Sequence, residues 1–112
     1  MIMSVGEKHS EGLHMYLKVH ENARGNIVAA CDADLIGKVF EDKKGYLDLD
    51  RYRGFYVGEK ASDASVKSAL KAFGSANLVG KRAVKSAVEL GLAGRDDVMY
   101  IKGIPYIQIY RI

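Results

Sequence analysis

The sequence predicts an α+β domain: a mostly antiparallel sheet with two helices packed on one face, in a single small domain. Three observations carry this. Apolar and polar residues alternate from Met15 to His20 and again from Tyr106 to Arg111, the period of a strand with one buried face. Between these ends, two stretches place apolar residues at helical spacing. A run of strands, then helices, then strands is the order of an α+β fold.

The elements follow in order. Met15 to His20 is a strand, and Asn22 and Gly25 signal the turn after it. Asn26 to Cys31 returns as its hairpin partner. A hairpin centred near Arg24 sets His20 opposite about Val28 and Cys31 opposite about Leu17. Asp32 to Gly37 reads as a loop or one helical turn. Lys38 to Glu41 and Tyr46 to Leu49 flank the turn Asp42-Lys43-Lys44-Gly45, where glycine is free to take positive φ. Arg51 to Val57 is irregular, broken by Gly54.

Ser62 or Asp63 caps the first helix, whose apolar stripe is Val66, Ala69, Leu70 and Phe73, and Gly74 ends it. The second helix is expected over residues 77–91, with Asn77 as N-cap, Val79, Ala83, Val84, Ala87 and Val88 as its apolar face, and Gly91 as C-cap. Joined by the short link 75–77, the two form a helical hairpin. Val98 to Lys102 and Tyr106 to Arg111 close the chain as strands around Gly103-Ile104-Pro105. The domain is expected to span residues 15–112, with residues 1–14, which show no clear period, as an N-terminal extension.

Composition excludes several classes. At 112 residues the chain is one domain, and a chain of this size buries roughly 65% of its unfolded surface. No run of 18 apolar residues offers a membrane span. The first 14 residues carry Glu7, Lys8, His9 and Glu11 and lack the apolar centre of an export signal. One cysteine, Cys31, forms no internal disulfide, so a cytoplasmic location is expected.

The net charge of +3 is uneven. Residues 60–89 hold six bases against two acids, a balance of +4, while residues 32–59 hold five against seven, a balance of −2. Such asymmetry steers an anionic partner to one side. Lys81, Arg82 and Lys85 on the second helix, Lys67 and Lys71 on the first, and Arg53 beside them form the expected nucleic-acid or phosphate face. Asn77 and Gly80 would shape the helix start, where free N–H groups favour an anion, although close packing is the plainer reason for Gly80.

No catalytic or metal site is expected, and no cofactor. His20, Cys31, Asp32 and Asp34 are tempting ligands, yet the hairpin separates His20 from Cys31 by about 10 Å of strand. Cys31 reads as a small buried apolar residue. The chain has no Walker loop, dinucleotide fingerprint or nucleophile elbow. Arg51-Tyr52-Arg53-Gly54-Phe55-Tyr56-Val57 echoes part of a base-stacking RNP1 strand, although Tyr56 replaces a small residue, and a core strand with solvated arginines is the plainer reading. Tyr100, Tyr106 and Tyr110, with Ile101, Ile107 and Ile109, make an aromatic pair of strands that would suit a homodimer or a protein partner if one is a sheet edge.

Asn77-Leu78-Val79-Gly80-Lys81-Arg82-Ala83-Val84, Glu89-Leu90-Gly91-Leu92 and Ile101-Lys102-Gly103-Ile104-Pro105 together resemble the archaeal domain of unknown function 424 family. Met15-Tyr16-Leu17-Lys18-Val19 and Ala29-Ala30-Cys31-Asp32 are similar to that family's opening, so the likeness covers residues 15–112. Tyr106 departs from the family's frequent His after the proline. The resemblance implies an archaeal cytoplasmic protein and brings no known activity. A loose association with translation-related gene neighbourhoods adds to the expectation of a non-catalytic domain that binds RNA or a ribosome-associated complex. A protein-interaction module or homodimer is the alternative reading, and an enzyme acting on a small phosphorylated ligand at Gly80 the third.

Overall fold

The computed structural model describes residues 12–111, so most of the expected N-terminal extension, including His9, lies outside the described residues. The strands are β1 (Met15–His20), β2 (Ile27–Asp32), β3 (Val39–Asp42), β4 (Gly45–Asp48), β5 (Glu59–Ala61), β6 (Ser75–Val79), β7 (Met99–Ile101) and β8 (Ile104–Tyr110). The helices are α1 (Arg53–Tyr56), α2 (Asp63–Ala69) and α3 (Lys81–Glu89). Six strands form one sheet in the order β5-β1-β2-β6-β8-β7, and β3 pairs with β4 in a separate hairpin. The pair β2–β6 is parallel and its neighbours are antiparallel, so the fold is α+β with a mostly antiparallel sheet.

Both sheet faces carry core. On one, α2 and α3 cover Met15, Val28, Ala30, Leu78 and Ile107 with Val66, Leu70, Ala83, Val84 and Ala87. On the other, Cys31 and Val79 meet Leu35 and Leu49, with Phe40, Leu47, Tyr56 and Tyr106 packed around them. The helices α2 and α3 therefore lie on one face as expected, but the strand β6 stands between them in the chain and they are not a helical hairpin. A third helix, α1, and the β3–β4 hairpin fill part of the opposite face.

The largest departure is in residues 75–79. These form the strand β6 between β2 and β8 and are not a link and helix start. Ala76 and Leu78 enter the helix-side core, while Val79 enters the other. The strand is short, and its alternation of Ser75 and Asn77 with Ala76 and Leu78 runs straight into Val79 and the helical stripe that follows, so its apolar residues merge with that stripe. Asn77 is consequently a strand residue and caps nothing. The helix starts at Lys81, after Gly80 at φ 105°.

The other end of α3 follows expectation. Gly91, at φ 75°, donates to Val88 O at 3.0 Å and Leu92 donates to Ala87 O at 3.0 Å, a Schellman closure. Ser62 Oγ caps α2 by accepting from Ser65 N at 3.2 Å. The first hairpin pairs His20 with Ile27 and Tyr16 with Cys31, one residue off the expected register. The last turn is Lys102-Gly103, with φ 55° and 76°, which suits a two-residue hairpin loop and draws Ile104 and Pro105 into β8. Arg51 to Val57 is not a strand. Asp48 Oδ1 accepts from Asp50 N at 3.2 Å and Arg51 N at 2.7 Å, and this side-chain turn starts α1 in place of any base-stacking strand.

Candidate functional site

The start of α3 is built around Asp32, at the end of β2. Its carboxylate accepts from Arg82 N at 3.1 Å and Ala83 N at 3.0 Å. Gly80 N donates to Pro105 O at 2.8 Å. A Cβ on Gly80 would collide with the Asp32 carboxylate, and its φ is one that side chains rarely adopt. The helix-start anion position is thus held by an acidic side chain of the protein itself, which explains Gly80 by close packing. Burial raises the Asp32 pKa above its ordinary value, and the two backbone N–H donors oppose that rise. A hollow of about 270 Å³ beside it mixes Asp32 and Asp34 with His14, Lys60 and Arg82.

The expected basic residues separate into groups. Lys67 Nζ lies 2.7 Å from Glu89 Oε1, linking α2 to α3, and Lys85 lies 3.8 Å from the other Glu89 oxygen. Arg82 lies 3.8 Å from Asp63. Lys71 is exposed beyond the end of α2. Arg53 pairs with Asp50 at 2.7 Å. It sits in α1, which packs on the face opposite α2 and α3: Lys18 Nζ donates to Gly54 O at 2.9 Å, His20 Nε2 to Phe55 O at 2.9 Å, and the His20 ring stacks on Phe55 at 4.7 Å. Arg53 and the helical lysines therefore do not form one patch.

Lys81 and Lys85 do meet at a groove of about 520 Å³ between α3 and the β7–β8 hairpin. Val84, Val88, Val98 and Pro105 supply its apolar lining, and Arg95, Glu89 and Tyr100 join the two lysines around it. Tyr100 is 49% exposed. Arg95 is brought there by a short 3₁₀ turn, Arg95–Asp97, fixed by Gly94 N donating to Asp97 Oδ2 at 2.8 Å. Arg95 lies beyond the basic stretch 60–89, and the local signal for its placement is Gly94 followed by two aspartates, residues that favour turns.

Elsewhere, Cys31 is fully buried and its thiol is pushed up to about 12, chiefly by burial and then by Asp32 and Asp34. Among the described residues no group of three His, Cys, Asp or Glu side chains is placed to hold a metal ion, and no helix is long and apolar enough to cross a membrane.

The family described as Protein of unknown function (DUF424) matches residues 20–112, and the chain belongs to it. The chain is also similar to the crystal structure of an uncharacterized conserved protein from Methanopyrus kandleri, at 25% identity and a TM-score of 0.70, over 86% of this chain and 90% of the other. No curated protein matches the chain.

Proposed function

We propose that this DUF424 protein is a non-catalytic, cytoplasmic domain that binds RNA or a ribonucleoprotein, in an archaeal and translation-related setting. One observation supports the reading above others: Lys81, Lys85 and Arg95 ring a single groove with an exposed tyrosine beside them. Cations that meet phosphates supply affinity without sequence choice, and an exposed aromatic ring adds a surface on which a base can stack. Glu89 tempers the groove by sharing Lys85. Of the eight residues the sequence nominates, Lys81 and Lys85 stay central to this reading. Lys67, Lys71 and Arg82 become flanking charges, Arg53 belongs to another surface, Asn77 faces the other side of the sheet, and Gly80 serves the start of α3 without lining the groove.

The test is fluorescence anisotropy with labelled single-stranded RNA across a salt series. Three phosphate contacts to single-stranded RNA predict that affinity falls by about two decades for each decade of added salt. Charge reversal at Lys81 and Arg95 together should abolish binding while circular dichroism stays unchanged. Absence of binding at low salt, or binding indifferent to the double reversal, overturns the proposal. A salt-insensitive dimer in light scattering would instead direct attention to β7, the sheet edge where Met99 and Tyr100 are half exposed.

A further inference from the structure

We infer that the opposite sheet face holds a notch for an unpaired nucleobase, formed by Asn77 and Gln108 between tyrosines. The inference deepens the RNA-binding reading and rests on it for its source of ligand. Asn77 of β6 and Gln108 of β8 are direct partners in the antiparallel register. Their neighbours Ala76, Leu78, Ile107 and Ile109 pack toward α2 and α3, so both amides project to the other side. There they line a groove of about 210 Å³ with Tyr46, Leu47, Tyr56 and Tyr106. This is below the roughly 300–1,000 Å³ of sites for drug-sized ligands, and suits one small planar ring system.

Two features set this groove apart from ordinary cross-strand packing. Asparagine is disfavoured in strands, yet Asn77 occupies the middle of β6 with strands on both sides. Among the described residues, neither amide side chain enters a hydrogen bond. Two adjacent primary amides therefore offer donors and acceptors to the groove. The edge of a nucleobase carries the complementary set, and Asn and Gln read such edges with paired hydrogen bonds. Tyr46, 59% exposed on the separate β3–β4 hairpin, supplies a ring for stacking. Single-stranded RNA is recognised by this combination of stacked faces and hydrogen-bonded edges. The groove shares β8 with the basic groove, which opens on the reverse side of the β7–β8 hairpin at Tyr100 and Pro105.

The experiment compares a short single-stranded RNA of mixed sequence with an abasic oligomer of equal length, using the full chain. The RNA should bind about tenfold or more tightly than the abasic strand, the factor expected for one stacked base. Gln108→Ala and Tyr46→Ala change exposed side chains, and each should shrink that gap while leaving the salt-dependent affinity for the abasic strand intact. Equal affinities for the two strands, or a gap indifferent to both variants, overturn the notch. If neither strand binds, the basic-groove reading fails by itself. The notch is then judged by NMR with the four nucleosides: shifts of the Asn77 and Gln108 side-chain amide signals support it, and their absence overturns it.

Discussion

The two faces of the sheet are closed by different means. The helix-side face is covered by α2 and α3, whose aliphatic stripes bury Leu78, Val28 and Met15 almost completely. The opposite face is covered by a two-stranded hairpin and a single-turn helix, and its cluster of buried residues is smaller: Cys31, Leu35, Leu49 and Val79. Around that cluster, tyrosines and amides remain partly open. A face sealed by regular helices has little freedom to vary, whereas a face half covered by a hairpin leaves side chains available for a ligand. The contrast suggests that stability resides mainly on the first face, and that the open polar groups belong on the second.

Adjacent residues of β6 test this most sharply, because Leu78 and Val79 point to opposite faces. Leu78→Ala should cost about 2–5 kcal/mol in urea unfolding, since the fully buried site leaves a cavity among helix side chains. Val79→Ala removes two methyl groups' worth of apolar contact and should cost roughly 1.5 kcal/mol. Equal losses, or a larger loss for Val79→Ala, would mean that the hairpin side is as strongly bound to the fold as the helix side.

The next contrast is between the ends of α3. The start depends on a long-range partner, Asp32, while the end closes locally through Gly91 and Leu92. Asp32→Ala removes two backbone partners and should cost about 1–2 kcal/mol. Its pH dependence has a definite sign. The folded-state pKa of Asp32 is raised by burial, so the unfolded chain loses this proton first as pH rises. The stability linked to Asp32 is therefore greatest in acid and declines as pH climbs from the ordinary aspartate value of 3.8 through the raised folded value. The gap between the parent and Asp32→Ala should narrow from mild acid to neutral pH in thermal unfolding. A gap that widens would show that the backbone donors outweigh burial.

These cases also show what the sequence makes legible. The stripe Val66, Ala69 and Leu70 and the stop at Gly91 identify both helices, because helical period and a left-handed C-cap are local properties. The expected stop at Gly74 is too late, since α2 closes at Ala69 and Phe73 enters the core from the link beyond it. Alternation identifies β1 and most of β8 for the same reason. Residues 75–79 are opaque because their strand character depends on two neighbours distant in the chain, β2 and β8. Asn77 looked like a cap because asparagine favours caps, and nothing nearby reveals that Asp32, some fifty residues earlier, performs that task. For the site, Lys81 and Lys85 were visible as charges on a helix. The acids that take up Lys67 and Arg82, and the turn that adds Arg95, are tertiary facts.

The smallest expected effect on stability separates charge from fold on the helix-side face. Glu89 is exposed, and its pKa is lowered first by the hydrogen bond from Lys67, with further help from Lys85. The small stability it supplies is present above the ordinary glutamate value of 4.5 and is lost as pH falls through the lowered folded value. Glu89→Gln should therefore leave the unfolding midpoint at neutral pH nearly unchanged. It also removes the negative charge from the rim of the basic groove and leaves Lys85 without its carboxylate partner. RNA affinity at low salt should rise several-fold, and the rise should disappear at high salt, where exposed charges are screened. An unfolding midpoint that holds while affinity rises would mark Glu89 as a brake on the groove. A falling midpoint with unchanged affinity would make the lysines on this face a means of joining α2 to α3, and their charge incidental to RNA.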